Sequence, residues 1–199
     1  MSIPNAVLHY GSLRVRYLIK SSMTATRSTT HRATGFRLGV AWVMLWVALA
    51  LHVTDEALTD FLSVYNPTVL ALRARFGFWP MPTFEFREWL TGLALGILFL
   101  ASLSRFAFRN VRWIRPLFYF CAVVTGVMNA LGHTIATVLG HTVSTVQFPR
   151  PAPGFYSSPL LLIVSIYALL QLGRTRHLPS SRRDYTSTSG GERVEGVPK

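Results

Sequence analysis

The sequence predicts an all-α fold: a four-helix transmembrane bundle with an additional interfacial helix between spans 1 and 2. Three observations predict it. Half of the 199 residues are apolar, and they gather in four stretches, 38–53, 90–103, 117–139 and 156–172. With its flanks, each stretch approaches the roughly 20 residues that cross a bilayer. Basic residues fall in alternate connections, the pattern left by topology rather than by a binding stripe. Polar and ionisable residues inside the apolar stretches recur at helical spacing, so they share faces that turn away from lipid.

The lead, residues 1–36, is rich in Ser, Thr and Arg without sustained periodicity, which predicts a disordered cytoplasmic segment. Met23 offers a second start. The basic lead, the apolar core and Ala48-Leu49-Ala50 loosely resemble a cleavable signal. Cleavage would leave His52 at a free amino terminus and strip a helix face of its partner, so an uncleaved first span is the preferred reading. The membrane domain covers residues 37–173, and residues 174–199 form a disordered basic tail.

The formal net charge is +12. Arg14, Arg16, Lys20, Arg27, Arg32 and Arg37 precede the first span, and Arg105, Arg109, Arg112 and Arg115 separate spans 2 and 3. Arg174, Arg176, Arg182, Arg183, Arg193 and Lys199 follow the fourth. By the positive-inside rule these three segments are cytoplasmic, which puts both termini inside and the chain in the cytoplasmic (inner) membrane. Residues 54–88 set Arg73, Arg75 and Arg87 against Asp55, Asp60, Glu56, Glu85 and Glu88, and residues 141–155 carry only Arg150. The basic segments suit anionic lipid head groups, so membrane lipid is the partner and nucleic acid is not.

The first helix continues or restarts beyond Glu56, with Leu58, Phe61, Leu62 and Tyr65 in helical spacing at the outer interface. Asn66-Pro67 is expected to end it, because a residue before proline avoids the helical region. A second piece follows over 69–78, and Trp79-Pro80-Met81-Pro82 turns the chain back. Gly92 and Gly96 mark span 2, the shortest, as a membrane helix. Span 3 carries Thr125, Asn129, His133 and Thr137 every four residues, a drifting stripe that points at protein, and the lone Cys121 reads as a small packing residue. The proline-rich loop 147–159 is either a stiff wall beside a site or a plain tight connection.

The candidate site begins with His52-Val53-Thr54-Asp55-Glu56, where an imidazole and two carboxylates share one helix face. Ionisable groups at membrane depth are costly and mark functional sites. His52 lies 15 residues beyond Arg37 and His133 lies 18 beyond Arg115. At 1.5 Å per residue the two imidazoles differ in depth by only about 5 Å. His141 is placed about two turns above His133 on the same helix, and Asn129 about one turn below. Spans 1 and 3 therefore offer His52, Asp55, Glu56, Asn129, His133 and His141 to one cavity. Each alone can be a bundle hydrogen bond or a helix-end cap; together they must be hydrated, paired or metal-bound.

His52-Val53-Thr54-Asp55-Glu56, Tyr65-Asn66-Pro67, Asn129-Ala130-Leu131-Gly132-His133 and Pro153-Gly154-Phe155-Tyr156 before Ser158 resemble the HXXEE domain family of integral membrane proteins. The resemblance covers about residues 38–173. It implies membrane location and a site built from these motifs, but no reaction. Asp55 departs from the family's first glutamate, one methylene shorter with the charge kept.

Chemistry supplies the reaction classes. His52 and His133 with Glu56 or Asp55 make the two-His, one-carboxylate set of catalytic zinc and mononuclear iron, so zinc or iron is the implied cofactor. The remaining carboxylate serves as general base in a hydrolase acting on an ester, amide or phosphate substrate near the outer leaflet, and a lipid-like substrate is among the expected partners. Glu56 and Asp55 are the candidate catalytic residues. His52, Glu56 and His133 are the metal ligands, with Asn129, His141, Tyr65 and Asn66 supporting them. The alternatives are a metal-free acid–base isomerase of a lipid or terpenoid, and a non-enzymatic proton- or cation-binding or assembly protein, for which a homodimer would supply further helices.

Overall fold

Apolar side chains that recur every three or four residues wind the described chain into helices. The structure, a computed structural model, describes residues 33–176, with side chains described to Arg174; the predicted lead and basic tail otherwise lie outside the described residues. The first helix, α1, runs Ala33–Leu58, four residues earlier than the predicted membrane domain. After a break come α2 (Leu62–Phe76), α3 (Phe86–Ser102), α4 (Ser104–Phe108) and α5 (Ile114–Phe120). A π-helical stretch, Cys121–Met128, joins α5 to α6 (Asn129–Leu139). A short antiparallel ribbon of β1 (His141–Val143) and β2 (Val146–Gln147) follows, and α7 (Ser158–Arg176) closes the described chain.

Three helical segments are long and apolar enough to cross a membrane: Ala33–Leu58, Phe86–Phe108 and Ile114–Leu139. The fourth apolar helix, Ser158–Arg174, is shorter. The second segment, expected to be the shortest, gains a turn at its start. There Glu85 and Glu88 form a reciprocal capping box around the first backbone amides, which lets the helix begin in a polar turn.

The core lies where α1, the third segment and α7 meet. Leu38, Ala41, Trp42, Leu45 and Ala48 form one stripe of α1 and pack with Ile114, Phe118, Cys121 and Ala122 and with Leu161, Val164, Ala168 and Leu172. Cys121 is a packing residue of this core, as expected. Trp42 meets Phe118 edge to face at 5.1 Å and donates its indole N–H to Leu100 O at 2.9 Å. Small residues let the backbones approach, as membrane helix interfaces require. Phe108 lies over Gly39, and Ser165 of α7 fills the space beside Gly126, where any Cβ would collide with its hydroxymethyl group.

The π-helical stretch was not foreseen from periodicity. Phe118, Ala122, Gly126 and Ala130 are buried at intervals of four, whereas an α-helix drifts by about 40° per such step. Widening the turn through Cys121–Met128 offsets that drift, keeps the four against α7, and leaves His133 facing inward.

Two boundaries differ from the expected ones. Asn66-Pro67 does not end a helix: Pro67 lies inside α2, whose second turn forgoes one ladder bond. The chain breaks earlier instead, at Asp60, which takes a left-handed φ of 56°, a conformation that Asp tolerates better than most residues. His141 is not on the third helix. Gly140 ends that helix at φ 77°, and His141 opens the ribbon beyond it, so a short sheet replaces the last predicted turn.

Overpacking at Gly126 is directly testable. Gly126→Ala is expected to destabilise the detergent-solubilised protein by about 1–3 kcal/mol in thermal unfolding. Adding Ser165→Gly should recover part of that loss while lowering stability in the wild-type background.

Candidate metal centre

Three side chains converge at the end of the core. His52 and Glu56 stand one turn apart on α1, and His133 reaches them from α6. His133 Nε2 lies 3.0 Å from Glu56 Oε1 and His52 Nε2 lies 3.4 Å from the same oxygen. The two imidazoles meet edge to face with centroids 4.8 Å apart. One ligand atom from each residue falls within 4.8 Å of the others. Tetrahedral bonds of about 2.1 Å put donor atoms about 3.4 Å apart, so the set needs only small rotations to enclose a zinc-sized ion.

Burial makes the group demanding. His52 is 0% exposed, Glu56 5% and His133 8%. Among the described residues Glu56 has no Lys or Arg in ion-pairing distance, only the two histidines. A buried carboxylate without a cationic partner costs several kcal/mol, which a proton or a bound cation offsets.

The hydrogen-bond network assigns the proton on His52. Ser157 stands just before α7 and donates both its backbone N–H and its hydroxyl to Asp55 Oδ2, each at 2.8 Å. With its proton committed there, Ser157 Oγ accepts from His52 Nδ1–H, also at 2.8 Å. His52 Nε2 then lies on the Glu56 side, buried and without a hydrogen-bond partner among the described residues. Metal-binding histidines are held in this way, one nitrogen donating to an outer acceptor and the other left as ligand.

The loop 148–157 forms a wall of the centre. Ala152 N donates to Thr137 Oγ1 and Gly154 N to Thr59 Oγ1, both at 3.0 Å, which ties the loop to α6 and to the end of α1. Gly154 adopts φ +77°, and a Cβ there would stand 2.9 Å from both Glu56 Cγ and His133 Cε1. Only glycine satisfies both demands.

The other expected residues take different places. Asp55 holds Ser157 rather than joining the three-residue group. Asn129 lies a turn below His133, beside a cavity. His141, in the ribbon, stands outside the group, and its buried Nδ1 has no hydrogen-bond partner among the described residues. Tyr65 and Asn66 brace the chain instead. Tyr65 donates to Pro82 O at 3.0 Å, and the Asn66 side chain exchanges two hydrogen bonds with the backbone of Phe84. Burial pushes the Tyr65 phenol above its ordinary range, with Arg73 opposing. Tyr65 reaches the centre through Phe61, whose ring contacts Tyr65, Trp89 and His133.

Sequence reasoning missed Ser157 and Phe61. A serine two residues before a proline at the start of a helix is a capping signal, and it marks Ser157. No local signal marks Phe61. Comparison of the chain with protein-family models, curated proteins and solved structures gave no match.

Gly154→Ala is expected to cost about 1–3 kcal/mol, from positive φ and from the crowding of Glu56 and His133. Thermal unfolding compared with Gly77→Ala, which has positive φ with open space around it, separates crowding from backbone strain.

Proposed function

We propose that this chain is a metal-binding integral membrane protein of the HXXEE type, in which His52, Glu56 and His133 hold zinc or iron near the outer leaflet. The observation that carries the reading is the buried Nε2 of His52, which has no hydrogen-bond partner among the described residues and lies 3.4 Å from a carboxylate oxygen shared with His133. In this reading the chain crosses the inner membrane four times with both termini in the cytoplasm. The helix Ser158–Arg174 supplies the fourth crossing, 17 residues sufficing for a bilayer core where flanks help.

Two histidines and one carboxylate leave coordination positions for water and substrate. A divalent cation in such a set brings the pKa of bound water toward about 7, the chemistry of a hydrolase. Glu56 would offset one of the two positive charges of such a cation, while Asp55 would act through Ser157 as a positioning residue. The 3.0 Å contact between His133 and Glu56 is also the geometry of a proton-transfer pair, which keeps metal-free isomerisation as the second reading.

Elemental analysis of the detergent-purified protein discriminates between the two. About one zinc or iron per chain is expected, lost in His52→Ala and His133→Ala with helical content unchanged. Metal-free folded wild type after reconstitution would overturn the metal reading. Asp55→Ala and Ser157→Ala are expected to weaken metal affinity about 10–100-fold without abolishing it, read by competition with a chelator.

A further inference from the structure

A cavity of about 250 Å³ lies beside the centre, with His133 in its wall. Phe61 and Val64 bound it from the α2 side, Met128, Gly132 and Ala136 from the third segment, and Phe148 from the loop. Its lining is mainly apolar, and the polar groups are few. Asn129 is one, with a side-chain amide that makes no hydrogen bond to any other described residue. Thr142 is another, and its hydroxyl is engaged with Thr68 at 2.5 Å. The free amide and His133 are thus the polar contacts the cavity offers.

The surroundings say where an occupant comes from. Met128, at the rim, is 61% exposed, and Leu131, Ile135 and Val138 of the same segment are exposed with it. These side chains belong to a helix long and apolar enough to cross a membrane, so the cavity adjoins a surface suited to hydrocarbon. The volume is below the range of about 300–1,000 Å³ typical of drug-sized ligands, which favours a slender chain over a fused-ring skeleton.

We propose that this cavity receives an unbranched acyl chain of a membrane lipid from the bilayer, with the adjoining carbonyl group at Asn129 and beside His133. The proposal names the substrate class for the metal centre and rests on that reading for the reaction, though not for binding. Asn129 donates to the carbonyl oxygen from its NH₂ group, and the apolar wall takes the methylenes. Lateral entry would spare the chain exposure to water, and the few polar partners fix its depth.

Gly132 gives the test. It lines the cavity with open space where a Cβ would be, and its backbone needs no positive φ, so a larger side chain is accommodated at the cavity wall without breaking the helix. The full chain, in lipid nanodiscs, is photolabelled with a diazirine-bearing palmitic acid, and the adducts are mapped by peptide mass spectrometry, with metal content measured on the same samples. Adducts concentrated on residues 128–136 and 148–153, competed by unlabelled palmitate and reduced at least fivefold in Gly132→Leu and in Ala136→Leu, are expected. Labelling spread over exposed faces such as Leu95 and Ile163, without competition and unchanged in both variants, would overturn the proposal. Preferential labelling of the cavity by a diazirine sterol would overturn it equally. Concentrated, competed labelling in protein that binds no metal would retain the cavity and reject the metal reading alone.

Discussion

Ser157 joins α1 to the start of α7, and the end of the molecule that carries the His52–Glu56–His133 group is organised by that link. Its backbone N–H and hydroxyl both end on Asp55, and its oxygen receives the His52 Nδ1 proton. One residue thereby opens α7, accepting the Leu161 N–H at its carbonyl, and ties that helix to α1 at both Asp55 and His52. In a setting of low dielectric an unmade hydrogen bond is expensive, so such a network tolerates few alternative arrangements. The centre is held at a defined geometry because the same contacts that close the fold also orient its histidine.

The third segment meets this constraint from the other side. His133 must reach Glu56 while Phe118, Ala122, Gly126 and Ala130 stay packed against neighbours, and a regular α-helix cannot satisfy both over that length. The π-helical stretch reconciles them. π-helical widenings are often found at functional sites, where the local loss of ideal hydrogen bonding is offset by the orientation gained. The close fit of Ser165 beside Gly126 makes the widened region an interface rather than a loose bend.

Burial divides the three long segments by task. In its most apolar window the first is 44% buried, the third 22% and the second 11%. The second is anchored mainly near its ends, through Trp89 and through the indoles of Trp42 and Trp46, which donate to Leu100 O and Ser104 Oγ. Its long exposed face of Leu95, Leu98 and Phe99 is apolar enough to face hydrocarbon. The His52–Glu56–His133 cluster sits on the two segments that other helices cover, where ionisable groups are buried and supplied with partners.

The mostly helical architecture, the three long apolar segments and the pairing of His52 and Glu56 with His133 follow from the sequence alone. Hydropathy over 20 residues and an i, i+4 spacing are local quantities, and depth along two helices is simple arithmetic. Tertiary structure decided the rest. Asp55 has the same spacing credentials as Glu56, yet it turns to Ser157, a residue more than 100 positions away. His141 continues the periodicity of the third segment on paper, but Gly140 ends the helix before it. Phe61 reaches His133 only because the chain breaks at Asp60 instead of at Pro67. In each case the outcome depended on which distant backbone came within hydrogen-bond or van der Waals range, and periodicity carries no record of that.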